Sequence, residues 1–156
     1  MPGVRDQLRS DLRDAMRAKD APRRNTIRMV EAAIKNAEIE KRGSELAESD
    51  ILAILQRQVK QRRESIEQFE KGGRDDLADQ ERVEIAIIEQ YLPRQLGRDE
   101  VEAHARAVIE EVGASGPSDR GKVMGLLMRE LRGEADGSLV NAVVSELLDE
   151  VAQADR

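Results

Sequence analysis

Residues 49–92 read SDILAILQRQVKQRRESIEQFEKGGRDDLADQERVEIAIIEQYL, and the fold turns on this stretch. Leu52, Leu55, Val59, Ile66 and Phe69 recur at helical spacing, Gly72-Gly73 breaks the pattern, and Leu77, Ile85, Ile88 and Leu92 take it up again. The spacing predicts one helix capped by Ser49 and ended by Gly72-Gly73, then a second over about 75–91 that stops at Tyr91-Leu92-Pro93. A short glycine turn between two such helices makes them an antiparallel hairpin, in which residues equidistant from the turn face each other. At about 100° per residue, Arg62 falls inside the apolar arc of the first helix. Glu81 falls on the arc of the second, with Glu84 at its edge. The hairpin therefore predicts an ion pair inside the bundle between Arg62 and Glu81 or Glu84. Such a group could be a catalytic carboxylate beside an anion binder. It could equally fix helix register, because a buried charge is tolerated only with a partner. The structural reading is preferred, and no residue is assigned a catalytic role.

The same periodicity extends in both directions, and no β-branched alternation persists long enough to argue a strand. The chain reads as all-α. Upstream, a helix over about 4–20 turns Val4, Leu8, Leu12 and Ala15 inward, and Pro22 breaks it. A second, over about 23–42, buries Ile27, Val30, Ile34 and Ala37 and is closed by Gly43. Downstream of Pro93 the elements shorten. One helix runs from near Asp99 to Gly113 with Val101, Ala105, Val108, Ile109 and Val112 as its stripe. Another spans about 119–132 with Val123, Leu127 and Leu131, and a last one, capped by Ser138, carries Leu139, Val143, Leu147 and Val151. The change at Pro93 marks the expected boundary: a four-helix region over 1–92 and a three-helix region over 93–156.

Composition narrows the chemistry. The chain has 156 residues, no Cys, no Trp, one Tyr, one Phe and one His. Thiol catalysis, disulfides and cysteine zinc sites are excluded, and a single His104 cannot supply a two-histidine metal site. No metal or cofactor is expected. Two aromatics do not make a stacking platform for single-stranded nucleic acid. No apolar run approaches the roughly 18 residues of a membrane span, and the chain reads as cytoplasmic, with no membrane partner. Through Leu92 there are 18 basic and 19 acidic side chains, a balance of -1; the remaining 8 and 13 give -5, together the net -6 of the whole chain.

Within that charge pattern, two groups of cations could meet phosphate. Arg5, Arg9, Arg13 and Arg17 recur every four residues, and Arg24, Arg28 and Lys35 share a face of the next helix. The bland alternative is a solvated face in which Asp6 pairs with Arg9 and Asp14 with Arg17. The segment Gly116-Pro117-Ser118-Asp119-Arg120-Gly121-Lys122 could hold a phosphate on backbone N–H groups at a helix start, or be a plain cap and turn.

Several of these residues also carry a resemblance. Asn36-Ala37-Glu38-Ile39-Glu40, Glu81-x-x-Glu84-Ile85, Tyr91-Leu92-Pro93, Gly121 to Met128 and Gly133-x-Ala135-Asp136-Gly137-x-x-Val140-Asn141, in this order, are similar to the GatB/YqeY proteins, the short stand-alone YqeY type above all. The resemblance implies a helical bundle followed by a three-helix unit like the tail of GatB. In the GatB subunit of the tRNA-dependent amidotransferase, a carbon–nitrogen ligase with glutamine as amide donor, that tail contacts tRNA. The catalytic cradle of GatB has no counterpart here. The resemblance thus implies a non-catalytic tRNA-binding accessory, with Arg120, Lys122, Arg129, Arg24 and Arg28 as candidate RNA or anion contacts. The alternative is an adaptor that docks on an amidotransferase, an aminoacyl-tRNA synthetase or the ribosome without binding RNA.

Overall fold

The computed structural model describes residues 3–154 and is all-α: seven α-helices and no strand among them. They are α1 (Val4–Ala18), α2 (Ala21–Glu40), α3 (Glu48–Lys71), α4 (Asp75–Glu89), α5 (Arg98–Val112), α6 (Arg120–Glu130) and α7 (Gly137–Ala154), with a 3-10 turn over Pro117–Asp119 before α6. The chain divides into two compact units, residues 1–93 and 94–156.

In the first unit α3 and α4 form the most extensive helix pair, and α2 packs on both. Leu8, Ile27, Val30, Ile34, Leu55 and Ile88 are the buried centre. Each such side chain contributes roughly 1.5–3 kcal/mol relative to leaving it in water. The core reaches Val59 on α3 and Ile85 on α4 and goes no further along the hairpin. Ile66, Phe69 and Leu77, expected inside, are only half-buried. Physically, α3 is the longest helix, with 24 residues against 15 in α1 and 20 in α2, so its distal turns have only α4 to pack on. Beyond Ile85 the buried small residue of α4 is Ala78.

Helix ends differ from the sequence reading in informative ways. Pro22 does not end a helix. It sits in the first turn of α2, where its missing N–H has no intrahelical partner to lose, and Asp20 caps that turn by accepting from the Arg23 N–H at 3.2 Å. Helix α1 stops earlier, at Ala18, with Lys19 in the left-handed region at φ 56°. Helix α3 begins at Glu48, so Ser49 is inside it; the Asp50 carboxylate accepts from the Ala47 N–H at 3.2 Å instead. At α7 the cap is Asp136, whose side chain accepts from the Ser138 N–H at 2.9 Å. Gly113 ends α5 at φ 66°, returning its N–H to the carbonyls of Ile109 and Glu110, a conformation a Cβ would disfavour.

The second unit closes around Val101, Ala105, Val123, Leu127, Val140, Val144 and Leu148. Helix α7 is its spine, packed by both α5 and α6. The Leu96 N–H donates to the Glu134 carbonyl at 2.7 Å, and the Gln95 side-chain amide to the Gly133 carbonyl at 2.7 Å, tying the segment before α5 to the turn before α7.

Candidate functional site

Arg62 is 5% exposed and lies where the apolar core of the first unit ends. Its Nε donates to Glu84 Oε2 at 2.9 Å, and Nη1 donates to the Gln58 carbonyl at 3.1 Å and to Gln58 Oε1 at 2.6 Å. Nη2 rests 3.8 Å from the sulfur of Met29 on α2. Glu81 stands 3.9 Å from Nε, outside hydrogen-bond range. Burial, and next the neighbouring Glu84 carboxylate, raise the pKa of Glu81, with Arg62 opposing them. The sequence left two carboxylates as candidates, and the geometry gives them different parts. Glu84 is bonded to the guanidinium, whereas Glu81 is drawn into the site without a hydrogen bond to it.

A second polar cluster escaped the sequence reading. Tyr91, just after α4, donates its hydroxyl to Asp11 Oδ2 on α1, and Arg23 Nη2 on α2 lies 3.3 Å from the same oxygen. Burial first, then the bond to Asp11, pushes the Tyr91 hydroxyl up to about 12. The Arg23 guanidinium is raised as well, chiefly by Tyr91, against its own desolvation. Tyr91 and Asp11 are 80 positions apart, and no local pattern connects them; the one signal is the Tyr91-Leu92-Pro93 motif itself. On α1 a further pair joins Arg5 to Glu38 of α2.

The candidate anion contacts are divided between the units. In the first, Arg24 Nε donates to Asn25 Oδ1 at 3.2 Å, and the exposed Arg28 approaches the Met16 sulfur at 3.9 Å. The expected pairs of Asp6 with Arg9 and Asp14 with Arg17 do not form, and Arg9, Arg13 and Lys35 have no ion-pair partner among the described residues. In the second unit Arg120 donates to the Asn141 side chain on α7. Lys122 and Arg129 lie elsewhere on α6, on an exposed face with Gly125 and Leu126 at i, i+3, i+4 and i+7. The structure thus groups Lys122 with Arg129 and sets Arg120 apart.

In the Gly116–Lys122 segment Asp119 bonds back to Ser115. Asp119 Oδ2 accepts from the Ser115 N–H at 2.8 Å and sits 3.4 Å from Ser115 Oγ. These bonds, the backbone one first, hold the Asp119 carboxyl below its usual range. The carboxylate is thus turned toward Ser115 and caps no N–H group at the start of α6. His104 is part-exposed at the edge of the α5 stripe, with Nδ1 3.6 Å from Glu130 Oε1, a carboxylate from α6 that spacing within α5 could not reveal. Among the described residues no group of three or more His, Cys, Asp and Glu side chains could hold a metal ion, and no helix is long and apolar enough to cross a membrane.

Fold and site together define a class: an all-α protein of two helical units, whose distinctive polar features are an internal arginine–carboxylate cluster and exposed cations without ion-pair partners among the described residues. The family model of Yqey-like proteins matches residues 5–148, and the chain belongs to that family. Among its relatives is a protein of Pyrenophora tritici-repentis named Altered inheritance of mitochondria protein 41, mitochondrial, which is 31% identical over 150 residues, covering 93% of this chain and 81% of the relative. Proteins of the same name from Lachancea thermotolerans and Eremothecium gossypii are 39% and 40% identical over 113 and 107 residues, 71% and 67% of this chain. Those matches span 60% and 58% of the relatives' own length.

The relatives' names overturn the cytoplasmic expectation. It rested on the lack of an apolar run and of cysteine, and neither encodes a compartment: mitochondrial targeting segments are amphipathic and basic rather than apolar, and a chain without thiols is indifferent to the redox poise around it.

Proposed function

We propose that this protein is a non-catalytic tRNA-binding accessory module that contacts the RNA backbone through the exposed face of α6. The observation that carries the reading is the pair of helical glycines beside the cations Lys122 and Arg129. Glycine inside a helix costs roughly 0.5–1 kcal/mol relative to alanine. Neither Gly121 nor Gly125 has a positive φ, and a Cβ added at either would meet nothing within 4 Å. The fold does not call for glycine at these positions. A close-approaching partner does, and two flanking cations without ion pairs among the described residues suit a phosphate backbone. With a single Phe and a single Tyr in the chain, contact to phosphates rather than stacking on bases fits the composition. The resemblance of this unit to the GatB tail supplies tRNA as the RNA, and the ligase activity of that enzyme does not carry over, since its catalytic cradle has no counterpart.

Transcribed, unmodified tRNA binding to the Lys122→Gln, Arg129→Gln double variant tests this. Loss of about tenfold or more in affinity at low salt is expected, because each phosphate contact contributes through counterion release. Affinity equal to that of the unaltered protein would overturn it. Leu126 and Met128, 38% and 37% exposed beside the same face, favour the second reading, an adaptor docking on an amidotransferase or aminoacyl-tRNA synthetase. In that case Leu126→Ser abolishes partner capture and tRNA is not bound.

A further inference from the structure

We propose that the groove between α1 and α2 is a separate binding site for the phosphate backbone of folded RNA, a contact in the first unit that adds to the one proposed for α6 and rests on the RNA reading. The groove has a volume of about 340 Å³. Arg5, Arg9 and Arg13 line it from α1 and Lys35 from α2, over a floor of Leu12 and Ile34, with Glu31 as the one acidic lining residue. Arg5 is engaged by Glu38, which leaves Arg9, Arg13 and Lys35 without ion-pair partners among the described residues. Three such cations facing one carboxylate make a site that attracts anions although the whole chain carries -6.

The kind of cation narrows the ligand. The two unpaired cations on α1, Arg9 and Arg13, are arginines four residues apart, about 6 Å along the helix. A guanidinium fork grips two oxygens of one phosphate, so a row of forks suits successive phosphates better than a point charge does. The floor decides between RNA and an acidic protein. An acidic helix needs an apolar pocket to anchor its side chains. Ile34 is already 1% exposed, which leaves Leu12 as the one aliphatic floor residue that is partly accessible. No aromatic lines it to stack a base, so the site recognises backbone geometry, as proteins that read A-form stems do.

The experiment compares three full-length proteins: unaltered, Arg9→Gln with Arg13→Gln and Lys35→Gln, and Lys122→Gln with Arg129→Gln. Far-UV circular dichroism checks that each is folded, which is expected because the altered side chains are exposed. The affinity of each for transcribed tRNA is measured across a salt series. The groove variant should bind at least tenfold more weakly at low salt, with the slope of log K against log salt reduced by about two to three, since each neutralised phosphate contact contributes about 0.7–0.9. If the groove variant binds tRNA as the unaltered protein does while the α6 variant is weakened, the groove inference falls and the RNA reading stands. If the unaltered protein binds no tRNA at low salt, both fall. A glutamate-rich helical peptide is the competing probe: its capture by the unaltered protein but not by the groove variant, with tRNA bound equally by both, overturns the inference in favour of an acidic protein partner.

Discussion

Arg62 shows how one residue can be legible in kind and illegible in detail. Its place in the arc of Leu55, Val59 and Ile66 announced a charge where the helix faces its neighbour, and the hairpin turn put Glu81 and Glu84 opposite. Which carboxylate bonds depends on a rotation of α4 that periodicity does not resolve, and the answer, Glu84, carries a sharp consequence. Replacing Arg62 by Met leaves two part-desolvated carboxylates without their cation. The expected loss is about 2–4 kcal/mol, below the upper end for fully buried pairs because Glu81 and Glu84 keep 23% and 19% of their side-chain surface in water. Thermal unfolding of the first unit should drop by about 10 °C or more. The two carboxylates should respond oppositely. Glu84→Gln weakens the pair and lowers the melting temperature. Glu81 has a raised pKa, so its native form holds a proton that the unfolded chain releases, and stability declines as pH rises from the ordinary carboxylate range through the raised value. Glu81→Gln removes that decline and should leave neutral-pH stability equal or higher, read by melting temperature against pH.

Tyr91 is the only tyrosine, so its titration reports a single site. Phenolate absorbance should develop near pH 12 rather than near 10, and replacing Asp11 by Asn should bring the midpoint down. With a folded pKa above the unfolded one, stability tied to this hydroxyl is complete below about pH 10 and lost as pH rises toward about 12. A midpoint near 10 in the unaltered protein would mean that the Tyr91–Asp11 contact does not hold in solution.

At the scale of elements, the number, order and inward faces of the helices followed from apolar spacing, while their ends did not. Pro22 reads as a breaker in a one-dimensional pattern, yet in the first turn of a helix proline sacrifices no bond, and Asp20 before it is the cap. Asp20→Ala should therefore cost about 0.5–2 kcal/mol in chemical denaturation. Ser49 and Ser138 have capping chemistry but lie one or two positions from the carboxylates that do the capping, Asp50 and Asp136. Ile66 and Phe69 obey the helical period and still sit at the margin, because exposure there depends on how far α3 outruns its neighbours. Helix α6 offers a different test. Gly125→Ala should stabilise the second unit by about 0.5–1 kcal/mol, since open space receives the methyl group, while weakening tRNA binding if a backbone approaches there.

For the whole molecule, the all-α character was readable because helical periodicity runs through the sequence and no strand pattern interrupts it. The cation surfaces were only partly readable. Sequence showed arginines every four residues but favoured a solvated face with Asp6 and Asp14 as their partners, and in the folded chain those pairs do not form. The proposed function predicts that RNA meets this net-acidic protein at local cationic faces, which salt-sensitive affinity alone would not locate. A residue-level footprint locates them: modification of Lys and Arg side chains by group-specific reagents on the intact protein, with and without transcribed tRNA, read by peptide mass spectrometry. Bound tRNA should protect Lys122 and Arg129 on α6 and Arg9, Arg13 and Lys35 in the α1–α2 groove, with Lys71 at the hairpin tip labelled equally in both. Equal labelling of all five with saturating tRNA present would refute RNA docking at these faces.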